Sequence, residues 1–282
     1  MLTFSKMHGI GNDYIYINCF QETVTDPEKL SIFMSNVRFG VGSDGLVLIL
    51  PSEVADFRMR IFNADGSEAM MCGNATRCVG KYVYEHGMTD KTEVSLETNS
   101  GIKYLTLYVN EATNKVDAVK VDMGKAILKP AEIPVADDGD RFIAKPVVVD
   151  GVSYDMTCVS MGNPHAVVFL PEIDSLDLEK MGPSFEHHPL FPNRVNTEFI
   201  RVIDDHTLQM RVWERGSGET FACGTGACAA AVASVLNGYC KREQEILIHL
   251  RGGDLRIIYH NDESVTMIGP ATCLLYTSDA AD

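Results

Sequence analysis

The feature that most constrains this chain is an internal repeat. Residues 59–73 read Met-Arg-Ile-Phe-Asn-Ala-Asp-Gly-Ser-Glu-Ala-Met-Met-Cys-Gly, and residues 210–224 read Met-Arg-Val-Trp-Glu-Arg-Gly-Ser-Gly-Glu-Thr-Phe-Ala-Cys-Gly. Cys72 and Cys223 therefore stand 151 positions apart, and the register persists: Gly11-Asn12 falls on Gly162-Asn163, Gly45 on Asn196 and Gly87 on Gly238. One match of this kind is chance, whereas several in one register mark two copies of one folding unit. Two pseudo-symmetric lobes are expected, an N-terminal one over 1–124 carrying Cys72 and a C-terminal one over 125–265 carrying Cys223, with the chain end, 266–282, returning to the first. Each lobe would bring one cysteine to a shared cleft. Two acid/base groups on opposite sides of one carbon are what inversion of a stereocentre requires.

Within each copy the local pattern changes at the cysteine. Phe57-Arg58-Met59-Arg60-Ile61 alternates apolar and polar residues, as does Leu208-Gln209-Met210-Arg211-Val212, and a period of two marks a half-buried strand. Beyond the cysteines the period turns helical. Ala75, Cys78, Val79, Tyr82 and Val83 make one apolar stripe; Cys228, Ala231, Val232, Val235 and Leu236 make the other. Gly87 and Gly238 then suit the left-handed position that ends a helix. Further strands are expected at 46–50, 94–96, 103–109, 116–123, 146–149, 166–169, 198–203, 246–250, 255–259 and 265–268. Helices are fewer, so the fold class is α+β, each lobe a mostly antiparallel sheet wrapped around a central helix. Residues 125–140, with Pro130, Pro134 and Asp137-Asp138-Gly139-Asp140, read as the connection between lobes. The tail 273–282 resembles translated sequencing adapter, and a final strand after Ala271 is then expected to be missing.

Composition narrows the function classes. A net charge of −15 repels phosphate backbones, which argues against nucleic acid as a partner. It leaves an anionic small-molecule substrate open, because amides and arginines set the field inside a cleft. No apolar run is long enough to span a bilayer, and the first 18 residues lack the pattern of a secretory signal. A cytoplasmic protein with its eight cysteines reduced is therefore expected.

Cys72-Gly73-Asn74 and Cys223-Gly224-Thr225-Gly226 each sit where a helix begins. Free amides and the positive end of the helix dipole favour a thiolate there, so both cysteines are expected to titrate below the usual thiol range. The same amides can hold a substrate carboxylate and the charge that develops when an α-proton leaves. One cysteine as thiolate takes the proton, the other as thiol returns one, and their titrations are coupled. A free cysteine is otherwise most often a buried hydrophobe. That reading suits Cys78 and Cys228, which lie within the helix stripes; Cys19, Cys158 and Cys240 carry no signal beyond packing or surface. Zinc is a poor reading of Cys72/Cys78 and Cys223/Cys228, whose spacings are not those of metal ligands, and His187-His188 diverge in direction. No metal is expected.

At these residues the chain resembles the diaminopimelate epimerase family, cofactor-independent epimerases of amino acids. The resemblance rests on Asn63-Ala64-Asp65-Gly66-Ser67 with Cys72-Gly73-Asn74-Ala75-Thr76-Arg77, on Glu214-Arg215-Gly216 with Ala222-Cys223-Gly224-Thr225-Gly226, and on His8 to Asp13 and Gly162-Asn163-Pro164-His165, over residues 1–271. It implies interconversion of LL- and meso-diaminopimelate in lysine biosynthesis, a homodimer, and neither pyridoxal phosphate nor any other cofactor. It also implies roles. Cys72 and Cys223 are the catalytic pair. Asn12, Asn63, Asn163 and Asn196 grip polar groups of the substrate. Arg215 pairs with the distal carboxylate and Glu214 lies near the amino groups. Gly73, Asn74, Gly224 and Thr225 surround the reacting carboxylate, and His165 is an auxiliary polar group. A dicarboxylate diamine does call for amides, one guanidinium and one acid. Many members carry glutamine where this chain has Gly45 in Gly42-Ser43-Asp44-Gly45, so any contact from that glutamine is absent. A proline or hydroxyproline racemase shares the two-cysteine design but takes a compact ring without a distal carboxylate; Glu214-Arg215 and the asparagines favour the longer substrate. A thiol redox sensor, in which Cys72 and Cys223 pair on oxidation, would not need those residues.

Overall fold

The computed structural model describes residues 2–276. They divide into two compact units, one drawn from Met1–Asp122 and Ile268–Asp282, the other Met123–Met267. The first unit contains β1 (Ser5–Gly9), β2 (Asn12–Asn18), α1 (Pro27–Ser35), β3 (Gly45–Leu50), β4 (Phe57–Asn63), β5 (Glu68–Ala69), α2 (Gly73–Glu85), β6 (Glu93–Thr98), β7 (Gly101–Asn110) and β8 (Lys115–Lys125). β1 pairs antiparallel with β2, β2 parallel with β3, β3 antiparallel with β4, and β4 parallel with β6; β6, β7 and β8 follow antiparallel, and β5 folds back on β4.

The second unit repeats this order. Its elements are β9 (Lys145–Val149), β10 (Val152–Ser160), β11 (Pro164–Phe169), α3 (Leu178–Glu186), β12 (Asn196–Val202), β13 (Thr207–Glu214), β14 (Gly218–Thr220), α4 (Gly224–Leu236), β15 (Glu245–Leu250), β16 (Gly253–Tyr259) and β17 (Ser264–Gly269). β10 and β11 are antiparallel, β11 and β12 parallel, β12 and β13 antiparallel, β13 and β15 parallel, β15 and β16 antiparallel, with β14 folded back on β13. Mixed α/β units with a large sheet and few helices are thus present, and each unit has two parallel strand pairings among its antiparallel ones.

Each long helix is the core of its unit. α4 packs against β10, β11, β12, β13, β15 and β16. Its buried residues include Ala227, Ala229, Ala230, Ala231 and Ala233. Small side chains on every face let the strands close around it, so it lacks the single apolar stripe of a surface helix. α2 keeps such a stripe, with Ala75, Cys78, Val79, Tyr82 and Val83 buried and Lys81 paired to Glu85 one turn on at 2.7 Å. At Gly80 a Cβ would stand 2.9 Å from Leu107 Cδ2 and 3.2 Å from Leu105 Cδ1, so these leucine ends of β7 pack directly on the helix backbone. Both helices stop as the glycines indicate: Gly87 has φ +67° and Gly238 φ +80°. The amides of Met88 and Tyr239 reach back to Val83 O and Ser234 O, a bonding pattern that satisfies carbonyls of the last turn.

Three features differ from the sequence expectations. Helices α1 and α3 were not anticipated, although Asp26 and Asp177 stand in the same 151-residue register and each side chain accepts from the amide three residues on. Residues 125–140 are more than a connection: Ile127 bridges Ser160, Pro130–Glu132 make a 3-10 turn, and Ile133 and Val135 enter the core of the second unit. The place of a terminal strand is filled, because Thr272–Tyr276 form β18, antiparallel to β1. The remainder of the unusual tail, 277–282, lies outside the described residues.

Candidate active site

Cys72 is the residue before the first turn of α2, with extended backbone (φ −139°, ψ 119°) and no side-chain capping bond of its own. Its thiol is half-buried and lies 3.5 Å from Asn12 Oδ1. That asparagine sits just past the tight turn at Gly11 (φ +89°), where a left-handed conformation favours glycine. Asp44 Oδ2 accepts from Asn12 Nδ2 at 2.6 Å, and Asn74 Nδ2 donates to Asn12 Oδ1 at 3.2 Å. The amide's orientation is therefore fixed, with its oxygen toward the thiol. Burial and the carboxylate of Asp13 raise the Asp44 carboxyl above the usual range. Beneath the helix start, Arg77 is fully buried and donates to Pro270 O, Gly73 O and Asn74 Oδ1. It holds the first turn of α2 and the returning chain together.

Cys223 occupies the same place before α4, again extended (φ −122°, ψ 105°) and without a capping bond. It is only 4% exposed, and its sulfur lies 3.6 Å from Thr225 Oγ1. The expectation of a lowered thiol pKa is corrected here. Burial, then the carboxylates of Glu214 and Glu198, push Cys223 well above the usual thiol range, outweighing Thr225 and the Gly226 amide. Helix-end stabilisation is modest, whereas removing an anion from water next to two other anions is costly. Burial also raises the Glu214 carboxyl, against hydrogen bonds from Thr220 and Cys223.

The remaining site candidates are placed by short networks. Asn196 is buried, gives Nδ2 to Pro164 O at 2.8 Å and accepts the Arg215 amide on Oδ1 at 2.9 Å. Arg215 is half-buried, and one of its nitrogens reaches Asn193 O at 3.0 Å. The turn that carries Arg215 is held by Glu186, a buried acid that accepts from Trp213 Nε1, Gly216 N and Arg194 Nη1. Asn63 lies at the end of β4 with Nδ2 on Ser67 Oγ. Gly73 and Asn74 are buried in the first turn of α2, and Gly224 likewise in α4 with Thr225 half-buried beside it. His165 is fully buried on β11. At Gly45 a Cβ would stand 2.0 Å from Phe62 O, so β3 lies too close to β4 here for any side chain.

Sequence reasoning missed Asp44, Arg77, Glu186 and Glu198. A charged residue on an apolar strand or helix stripe was the available signal for Arg77 and Glu198, since such groups are rarely buried without a partner. Asp44 and Glu186 carried none.

The duplicated strand–cysteine–helix units belong to a fold shared by several isomerase-type proteins. A probable proline racemase from Agrobacterium radiobacter K84 superposes with a TM-score of 0.73 at 15% identity, over 100% of this chain and 94% of that one. A hydroxyproline epimerase from Agrobacterium vitis gives 0.71 at 16% identity, over 98% and 91%. At that distance the likeness speaks for fold alone. Sequence is more particular: the diaminopimelate epimerase family model matches residues 4–129 and 157–274. A diaminopimelate epimerase of Acetivibrio thermocellus is 59% identical over 96% of this chain and 95% of its own length, and one of Agathobacter rectalis is 56% identical over 96% of each. The chain belongs to the diaminopimelate epimerase family and is an epimerase, an enzyme of the isomerase class. The proline racemase alternative is left as a distant relation of fold.

Proposed function

We propose that the protein interconverts LL- and meso-diaminopimelate by two-base proton transfer, with Cys72 and Cys223 as the acid/base pair. The observation that supports this most is that both cysteines immediately precede 13-residue helices in one repeat register. An α-proton is very weakly acidic, so three contributions must combine. A thiolate removes the proton, helix-end amides hold the carboxylate and the charge spreading onto it, and the second thiol protonates the opposite face. The raised titration of Cys223 suits a sulfur that starts as the acid. In the other direction it becomes the base, once substrate has excluded water and its ammonium offsets Glu214. Asn12, Asn63, Asn163 and Asn196 serve as the amides around the substrate, Arg215 takes the distal carboxylate, and Glu214 faces an amino group. The same reading puts the enzyme in the cytoplasm, in lysine biosynthesis, and expects a homodimer.

The test is isotopic. Reduced protein is incubated in deuterated water with LL-diaminopimelate and, separately, with L-proline, and label is scored by NMR. Deuterium should enter the α-position of diaminopimelate without added cofactor and should not enter proline. Label in proline alone, or a strict need for pyridoxal phosphate, overturns the proposal.

A further inference from the structure

A chain of three buried or half-buried groups in the second unit stands apart from the proton transfer. Glu198 on β12 and His165 on β11 are both fully buried. Glu198 Oε1 lies 2.7 Å from His165 Nδ1, and His165 Nε2 lies 3.0 Å from Asn163 Oδ1. Parallel pairing of β11 with β12 sets this geometry, placing His165 beside Asn196 and Val167 beside Glu198. The repeat does not explain it, for the equivalent positions in the first unit are Tyr14 and Val47.

A carboxylate only accepts, and so does an amide oxygen. With Glu198 Oε1 facing one ring nitrogen and Asn163 Oδ1 the other, the ring can donate to both only as the imidazolium. The environment suits an ion pair. Glu198 Oε2 has no hydrogen-bond partner among the described residues, so the carboxylate depends on the ring for its compensation. The first turn of α4 also closes over it: a Cβ at Gly226 would stand 2.6 Å from Glu198 Oε1. That brings the positive end of the helix against the carboxylate.

We propose that Glu198 is a positioning residue for Asn163. It holds His165 doubly protonated, the ring then holds the Asn163 carbonyl, and the amide NH2 is left as the end offered to a substrate oxygen. This rests on Asn163 being a substrate contact, as proposed above. The consequence of Glu198→Gln is specific. A glutamine carbonyl still accepts from Nδ1–H, but the neutral ring then has a bare Nε2, which accepts. The Asn163 amide must turn over to donate to it, presenting an oxygen where a donor stood.

Two measurements on the same preparations test this. In protein carrying 15N-histidine, the His165 ring of the wild type should show both nitrogens protonated at pH 7.5, and E198Q should show one. In the deuterium-exchange assay, E198Q should raise KM for diaminopimelate about tenfold, the scale of leaving a polar group mispaired, with kcat within about threefold. A singly protonated ring in the wild type overturns the proposal without any variant, so a poorly folding E198Q cannot shelter it. A ring that changes form while KM stays put also overturns it, and leaves the two-thiol reading standing. Wild-type protein that exchanges no α-hydrogen sinks the two-thiol reading instead, while the ring spectrum still decides whether Glu198 charges His165.

Discussion

Helices α2 and α4 are each 13 residues long and each begins one residue after a cysteine, yet the chemistry packed around the two starts is of opposite sign. At the first, a buried guanidinium, Arg77, ties the helix to Pro270 and Asn74; the equivalent position in the second is Cys228, a buried thiol. At the second, two carboxylates, Glu198 and Glu214, raise the neighbouring thiol; their equivalents in the first are Val47 and Asn63. The paired asparagines diverge as well. Asn12 gives its NH2 to Asp44 and keeps its oxygen toward Cys72, whereas Asn163 gives its oxygen to His165. Duplication preserved backbone and register while the electrostatics were free to part. A two-base reaction asks for that division: the sulfurs must be equivalent in position, but at any moment one is a thiolate and the other a thiol.

If both sulfurs take part in every turnover, the asymmetry around them should not make one dispensable. Cys72→Ser and Cys223→Ser should each lower kcat/KM by about 10²–10⁴, or roughly 3 kcal/mol or more of barrier, in the deuterium-exchange assay. A variant with near-normal turnover would remove its cysteine from the pair and reduce the comparison to one of structure. The next effect belongs to the first unit alone. Arg77→Met would leave Pro270 O, Gly73 O and Asn74 Oδ1 without their guanidinium donors. Asn74 Oδ1 is the buried acceptor left unpaired, and at about 1–3 kcal/mol for such a group urea denaturation should register a loss of that order. Cys228→Ala, the same position in the second unit, should cost clearly less. Equal losses would mean that the arginine acts only as packing volume.

The repeat carries most of what was legible. Its glycines, cysteines and apolar stripes locate α2, α4 and the strands before them, because period and punctuation are local properties. Cys72 with Cys223, and Asn12 with Asn163, stand out for the same reason, because the register itself pairs them, whereas Asn63 and Asn196 have no asparagine partner in the register and rest on the family resemblance alone. The short helices α1 and α3 were not, although Asp26-Pro27-Glu28 and Asp177-Leu178-Glu179 carry a cap followed by an acid in the first turn; nine residues give too little periodicity to stand out. The burial of Cys223 beside Glu198 was illegible, because it depends on how β11, β12 and α4 meet. A helix start argued for a thiolate, and tertiary packing reversed the sign.

That reversal makes the finest test of the comparison. Burial and two carboxylates hold the Cys223 thiol up, so at neutral pH the free enzyme carries it protonated, and only the thiolate reacts with iodoacetamide. In brief pulses mapped by mass spectrometry, labelling at Cys223 should stay low through neutral pH and climb only as the solution passes beyond the ordinary thiol range. Glu214→Gln removes one neighbouring anion. With less repulsion the thiolate forms at lower pH, so labelling of Cys223 at pH 8 should rise about three- to tenfold, a shift of up to about one pKa unit. Cys72, half-buried in the other unit, should label at an unchanged rate in that variant. A Glu214→Gln rate at Cys223 equal to or below the wild type's would show that the Glu214 charge does not hold the thiol up, and would leave burial and Glu198 as the causes.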